Sequence, residues 1–97
     1  MSIKVIAKHS VKPEKLDEFI KLSNQLVEAT NKEDFGCIHY QFYQDVNDPN
    51  VTAMIEEWES QEAVETHLKA KHFVDVVPAM RDCLNGPTEV NVYKQLS

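Results

Sequence analysis

Residues 54–73 read Met-Ile-Glu-Glu-Trp-Glu-Ser-Gln-Glu-Ala-Val-Glu-Thr-His-Leu-Lys-Ala-Lys-His-Phe, and this is the most informative stretch of the chain. An apolar strand pattern ends at Trp58, the only tryptophan, and Ser60 can then cap a helix through its hydroxyl. His67 falls on the apolar stripe of that helix, and His72 begins a second helical piece after the stripe has lost phase. The stretch therefore predicts a strand, a capped helix and a broken continuation that together can form one wall of a pocket.

The flanking sequence predicts three further strands and one long helix. Apolar and polar residues alternate over three segments, which are 3–11, 37–44 and 88–96. Pro13 suits the first position of a helix, and apolar residues spaced three and four apart continue that helix to about Asn31. Turn-forming residues at 45–50 predict a hairpin that leads into the strand at 51–58.

The resulting order, β-α-β-β-α-β, predicts one α+β domain over residues 1–97 with a ferredoxin-like fold. In this fold a four-stranded antiparallel sheet carries its helices on one face. Within the second helical region, Pro78 should kink or restart the helix, and Gly86 should end it in the left-handed conformation.

The strands are apolar on both faces, although helices would cover only one. The residues that indicate this are Ile6, Ile38, Tyr40, Phe42, Val51, Ala53 and Ile55. An uncovered apolar face of several hundred Å² is unusual for a soluble monomer. We therefore expect a homodimer with two-fold symmetry in which two sheets pack face to face.

Composition argues against several classes of partner. Ten Lys and Arg against sixteen Asp and Glu give a formal net charge of -6, so neither nucleic acid nor an anionic membrane is an expected partner. The N-terminus lacks the apolar core of a signal peptide, and no apolar run approaches the roughly 18 residues of a membrane span. These features predict a soluble cytoplasmic protein, in which we expect Cys37 and Cys83 to be reduced.

Sequence motifs for a nucleotide cofactor or a metal are lacking. Both glycines, Gly36 and Gly86, serve as turn residues, so no phosphate loop or nucleotide fingerprint is present and no cofactor is predicted. His67 and His72 are five residues apart, whereas two ligands on one helix are usually three or four apart. We therefore predict no metal site.

Two residues of the opening stretch could carry acid–base chemistry. Period two places Glu56 on the same strand face as Met54 and Trp58, where burial between sheet and helices would raise the pKa of its carboxyl group. His67 should point inward near the end of that strand, and an imidazole pKa near about 6.5 suits a general base at neutral pH. The alternatives are a paired or solvated carboxylate and a histidine that only fills the core.

Three sets of residues carry a family resemblance. They are Ile55-Glu56-Glu57-Trp58-Glu59-Ser60 followed by Glu62-Ala63, His67 and His72-Phe73; Gly36-Cys37 with Tyr40; and Gly86-Pro87 before the last strand. Together they resemble the antibiotic biosynthesis monooxygenase family over nearly the whole chain. The resemblance implies a dimeric α/β barrel of ferredoxin-like subunits, each with a pocket between sheet and helices. Family members include cofactor-independent monooxygenases of quinols and polycyclic phenols, haem-degrading proteins and an isomerase of a phosphorylated signal.

The resemblance also implies a function, a monooxygenase that oxidises a small quinol or phenolic substrate with O2 and needs no cofactor. His67 would then accept the substrate proton, with Glu56 as a second catalytic candidate. The implied substrate contacts are His39, Met54, Trp58, His72 and Phe73.

Two alternative functions stay open. One is an isomerase of a small phosphorylated carbonyl compound, which would need a phosphate site supplied by Lys4, Lys8, Lys69 or Lys71. The other is a dimeric small-molecule binding or stress protein without catalytic activity. The expected partners are therefore a small aromatic or carbonyl substrate and a second copy of the chain.

Overall fold

The computed structural model describes residues 2–97 and contains the predicted order of elements. Its strands are β1 (Ile3–Ser10), β2 (Cys37–Gln44), β3 (Val51–Trp58) and β4 (Glu89–Lys94). Its helices are α1 (Leu16–Glu33), α2 (Gln61–Lys69) and α3 (Lys71–Arg81), with a short 3-10 turn at Pro13–Lys15 before α1. Every helix within residues 2–97 is too short or too polar to cross a membrane.

The four strands form one antiparallel sheet in the order β2-β3-β1-β4. Glu56 of β3 lies opposite Val5 of β1 on one side and opposite Tyr40 of β2 on the other. Buried and half-buried residues alternate along the whole of β3, as expected for a strand with one face against helices. The predicted α+β ferredoxin-like arrangement is confirmed.

Local sequence signals explain where the helices begin and end. The hydroxyl of Ser60 accepts a hydrogen bond from the Ala63 N–H at 3.2 Å, which caps α2. Ala70 has an extended backbone and separates α2 from α3, so the predicted break is confirmed. α1 continues to Glu33, slightly past its predicted end.

The structure differs from two local predictions. α3 runs through Pro78 to Arg81 without restarting, because the fixed φ of proline fits a helix and only one backbone donor is lost, whereas a kink at Pro78 stays a prediction. Within residues 2–97 the positive φ belongs to Gly36, at 87°, and not to Gly86. A Cβ at Gly36 would lie 2.6 Å from the Ala63 Cβ, so the close approach of β2 to α2 also requires glycine there.

The core lies between the helices and one side of the sheet. Its largest fully buried side chains include Trp58, Phe19, Leu26, Met54 and Val11. Tyr40 and Phe42 face this side as well, opposite Glu56 and Met54 of β3, so they do not contribute to a second apolar face. A bulge between Cys37 and His39 shifts the register of β2 and produces this orientation.

The opposite side of the sheet faces away from the helices. Its half-buried apolar residues are Ile6, Val51, Ala53 and Ile55. The homodimer inferred from this side of the sheet stays a prediction. At the sheet edge, β4 is exposed along its whole length, which leaves one flank of the helix-facing layer open.

Candidate functional site

A cavity of about 790 Å³ lies between the sheet and the helices. Its wall is mostly apolar, and its aliphatic and aromatic members include Val5, Phe19, Met54, Phe73 and Val77. Val90 and Val92 of β4 also line the cavity and are about half exposed, so the cavity opens along that edge of the sheet. A cavity of this size and polarity can hold a small organic molecule.

His67 lines the cavity and is held from behind by a carboxylate. Its side chain is 3% exposed, and Nδ1 lies 2.5 Å from Asp34 Oδ2. A carboxylate only accepts hydrogen bonds, so the imidazole donates through Nδ1 and keeps a free lone pair on Nε2. Burial lowers the pKa of His67, and the hydrogen bond to Asp34 opposes that effect. His67 is therefore a neutral imidazole with an acceptor nitrogen available to the cavity.

Asp34 connects two histidines from different helices. Its backbone N–H donates to the Thr30 carbonyl at 3.1 Å at the end of α1, which fixes the direction of its side chain. The second oxygen, Oδ1, lies 2.9 Å from His72 Nε2, at an angle that does not make a hydrogen bond. Asp34 does not line the cavity, so it acts on the cavity only through the orientation of His67.

Glu56 is a second polar group in the cavity wall. Its Oε1 accepts a hydrogen bond from Trp58 Nε1 at 2.8 Å, and both side chains are buried. Burial raises the pKa of Glu56 to about 7, and the indole N–H opposes that shift. Glu56 can therefore either give or take a proton close to neutral pH.

Three aromatic rings surround the imidazole of His67. The ring centroids of Trp58, Phe73 and Tyr40 lie 4.7, 4.9 and 5.2 Å from its own. Burial raises the pKa of Tyr40, so its hydroxyl keeps its proton and can donate a hydrogen bond into the cavity that it lines. The imidazole is thus shielded from water while a hydrogen-bond donor stands in the same wall.

The structure places the predicted site residues in three locations. Those that line the cavity are Met54, Glu56, His67 and Phe73. Trp58 and His72 lie behind the wall, where they contact Glu56 and Asp34. His39 lies on the opposite side of the sheet, with Nε2 3.3 Å from Glu57 Oε1. The structure therefore brings six of the seven residues to one region and leaves His39 apart from it.

The polar residues near the cavity that are absent from the predicted site include Asp34, Tyr40 and His9. Asp34 follows the end of a helix in an irregular segment, where no periodicity marks its direction. Tyr40 has the pattern of an ordinary strand residue. His9 occupies a position of β1 where the alternation predicts a buried apolar residue. A polar residue at such a position is the sequence feature that could have indicated a role for His9.

The group formed by Asp34, His67 and His72 contains donor atoms of the kind that bind divalent metals. One ligand atom from each lies within 4.8 Å of the others. Two ligands of a zinc ion, each at about 2.0–2.1 Å, are themselves about 3 Å apart or more. Nδ1 of His67 and Oδ2 of Asp34 are only 2.5 Å apart, so a metal would have to separate them. As it stands, the hydrogen bond between His67 and Asp34 occupies the atoms that a metal would need.

Comparisons with known proteins agree on one family. The sequence profile described as antibiotic biosynthesis monooxygenase matches residues 2–79. The Bacillus subtilis protein named "Putative monooxygenase YcnE" is 31% identical over 80 residues, which cover 82% of this chain and 83% of that protein.

Two further proteins resemble the chain without a named activity. The uncharacterized protein sll1783 of Synechocystis is 37% identical over 84 residues, which are 87% of this chain but 56% of that protein. The chain therefore spans just over half the length of this relative. The crystal structure of a conserved protein from Methanosarcina mazei Go1 has a TM-score of 0.95 at 38% identity, covering 99% of this chain and 94% of that one.

Proposed function

This chain belongs to the antibiotic biosynthesis monooxygenase family, and we propose that it is a cofactor-independent monooxygenase of a small phenol or quinol. The observation that carries the proposal is the pair formed by His67 and Asp34 at the wall of an apolar cavity. Such a pair presents a base to a bound hydroxyl in a site that water reaches poorly.

The first step is the removal of the phenolic proton. His67 Nε2 takes the proton, and Asp34 stabilises the imidazolium that forms through the bond to Nδ1. The Tyr40 hydroxyl can donate a hydrogen bond to the phenolate oxygen. The phenolate is electron-rich, so the substrate itself can reduce O2 and no flavin or metal is required for this step.

The remaining steps balance for a phenol with hydrogen on the carbon para to its hydroxyl. One electron passes from phenolate to O2, and the resulting phenoxyl radical and superoxide combine at that carbon. The imidazolium protonates the new peroxide. A base, for which Glu56 is the candidate, then removes the hydrogen from the same carbon while the O–O bond breaks. The hydroxide released takes up that proton, so one phenol and one O2 give one quinone and one water.

The proposal includes two features of the whole protein. We propose a homodimer that buries the side of the sheet bearing Ile6 and Ile55, and a cytoplasmic location consistent with the composition. None of the four lysines considered for a phosphate site lines the cavity, whereas Arg81 lies at its wall. For an isomerase of a phosphorylated compound, Arg81 is therefore the cationic side chain that could bind the phosphate.

Oxygen consumption with one-ring and fused-ring phenols and hydroquinones tests the proposal. For a phenol with hydrogen para to its hydroxyl, we expect uptake of one O2 per quinone formed and, with 18O2, one labelled oxygen in the quinone. For a hydroquinone, oxygen should enter at a ring carbon that bears hydrogen, so that one O2 gives one hydroxyquinone with one labelled oxygen and one water. His67→Gln should abolish most of this turnover, whereas His39→Gln, on the opposite side of the sheet, should keep it. Folded wild-type protein that consumes no oxygen with any of these substrates would sink the proposal. Turnover of a phosphorylated carbonyl compound that persists under nitrogen would favour an isomerase instead.

A further inference from the structure

A second buried histidine lines the cavity away from the His67 site. His9 of β1 is 6% exposed and is paired in the sheet with Thr52 of β3. Glu56 is paired with Val5, which precedes His9 by four residues on the same strand. At about 3.3 Å per strand residue, the two positions are about 13 Å apart along the sheet. His9 and Glu56 are therefore two separate polar positions on the sheet side of the cavity.

One nitrogen of His9 is engaged and the other is free. Nδ1 lies 3.2 Å from the Thr52 hydroxyl, and the ring stands edge-on to Phe19 with centroids 5.0 Å apart. Within residues 2–97, Nε2 has no hydrogen-bond partner in the protein. The buried side-chain atoms that lack both a partner and contact with solvent belong to Ser23, Thr30, His39 and His72. Nε2 of His9 is not among them. Nε2 is therefore open to the cavity.

The His9 ring is neutral. Burial lowers the pKa of His9 to about 4, so the ring carries no charge at physiological pH. Either ring nitrogen of a neutral imidazole can carry the proton, and the Thr52 hydroxyl can pair with Nδ1 as donor or as acceptor. A neutral hydroxyl on a ligand can likewise donate to Nε2 or accept from it, so it matches this nitrogen in both tautomers.

The surroundings make this nitrogen selective. Apolar side chains of the cavity wall include Ala7, Phe19, Met80 and Leu84. The polar residues Arg81 and Asn85, which also line the cavity, are exposed, and Thr88 is half-buried. A buried polar nitrogen beside apolar side chains favours a ligand that brings a matching polar group, since an unmatched buried polar group is costly.

We propose that His9, held by Thr52, is a second substrate-binding residue that forms a hydrogen bond with a hydroxyl group remote from the one that faces His67. This inference rests on the proposed function in one respect, namely that the substrate reacts at the end next to His67. It adds a substrate class, namely aromatic compounds long enough to carry one neutral hydroxyl beside His67 and another beside His9.

A pair of ligands and a pair of variants test this inference. The ligands are a three-ring phenol with hydroxyl groups at both ends and the analogue that has hydrogen in place of the remote hydroxyl. Affinities are measured by calorimetry under nitrogen, so that no turnover interferes. Wild type should bind the dihydroxy compound about three- to tenfold more tightly, the usual range for one hydrogen bond. In His9→Phe this ratio should fall to about one.

Matched variants keep the result interpretable. His9→Gln, which offers an amide near the position of Nε2, should retain part of the preference, and Thr52→Val should weaken it by loosening the ring. His39→Phe should bind with the wild-type ratio because it lies outside the cavity. If His9→Phe does not fold, the comparison of wild type with Thr52→Val and His9→Gln decides.

The outcomes separate this inference from the proposed function. Equal affinity of wild type for the two ligands, or a preference that survives in His9→Phe, overturns the role of His9 even if both compounds are oxidised. A preference that depends on His9 without any oxygen consumption overturns the monooxygenase proposal alone. Failure of wild type to bind either compound overturns the substrate class inferred from His9 and leaves the monooxygenase proposal to the one-ring phenols.

Discussion

The two buried histidines of the cavity differ in the group that holds Nδ1. His67 donates to the Asp34 carboxylate at 2.5 Å, whereas His9 lies 3.2 Å from the Thr52 hydroxyl. Burial lowers the pKa of both imidazoles, but only at His67 does a carboxylate act against that shift. A buried imidazole needs a counter-charge to hold a proton. The group that contacts Nδ1, a carboxylate at His67 and a hydroxyl at His9, therefore makes one histidine suited to proton transfer and the other to binding. Burial is common to both and does not distinguish them.

Removal of the counter-charge at Asp34 should have the largest effect. In Asp34→Asn the amide can donate to Nδ1, which forces the proton onto Nε2 and removes the base. We expect kcat/KM with an oxidisable phenol to fall about 10²–10⁴-fold, the usual contribution of a positioned base. The pH profile of kcat/KM should lose its His67 limb. A rate within threefold of wild type in a folded variant would show that the carboxylate is dispensable.

Glu56→Gln should remove a fall in stability between about pH 4.5 and 7. The native pKa of Glu56 is about 7 and its ordinary value is 4.5, so between these pH values the native state holds a proton that the unfolded state has lost. Stability must therefore fall as pH rises through that window, by about 3 kcal/mol in total. Urea unfolding of wild type and Glu56→Gln from pH 4.5 to 8 measures the difference, and parallel curves would contradict it.

His9→Gln should remove a dependence of the opposite sign. The pKa of His9 is lowered from 6.5 to about 4, so below pH 6.5 the unfolded state takes up a proton that the native state refuses. Wild type should lose about 2 kcal/mol of unfolding free energy from this group between pH 6.5 and 5. The variant should lose correspondingly less, as read from the same urea titration. An unchanged acid limb would mean that His9 is charged in the native state.

His39→Ala should have the smallest effect and serves as the baseline for the other variants. His39 is partly exposed and pairs with Glu57 on the side of the sheet away from the cavity. A surface pair of this kind contributes about 0–1 kcal/mol. We expect no change in kcat/KM and a change in unfolding free energy within about 0.5 kcal/mol. A large loss of activity would place a function on that side of the sheet.

Strand and helix assignments follow closely from local sequence. The strands at 37–44 and 51–58 have their predicted bounds because β-branched and aromatic residues alternate there and turn residues enclose them. The cap at Ser60 is likewise a local interaction over three residues. Local sequence does not determine the backbone conformation at Pro78 and Gly86. Each residue is compatible with more than one conformation, and the surrounding packing selects among them.

The candidate site follows from the sequence only in part. Strand periodicity and the helical stripe place Glu56 and His67 at the helix-facing side, because each depends on one element alone. The location of His39 depends on the bulge beside it in β2, which no residue pattern indicates. The place of Asp34 in the site depends on how three helices pack together. Asp34 follows α1 and contacts His67 of α2 and His72 of α3.

The order of elements, the inward direction of His67 and the family follow from the sequence, because they depend on spacings along chain segments. The packing of the folded chain is needed to show that Asp34 holds His67, that Trp58 donates a hydrogen bond to Glu56 from behind the cavity wall, and that His9 occupies a second polar position in the same cavity. Contacts between residues far apart in sequence depend on strand register and helix packing. Those relations set which side chains share a buried space, and thereby which of them exchange protons or hydrogen bonds.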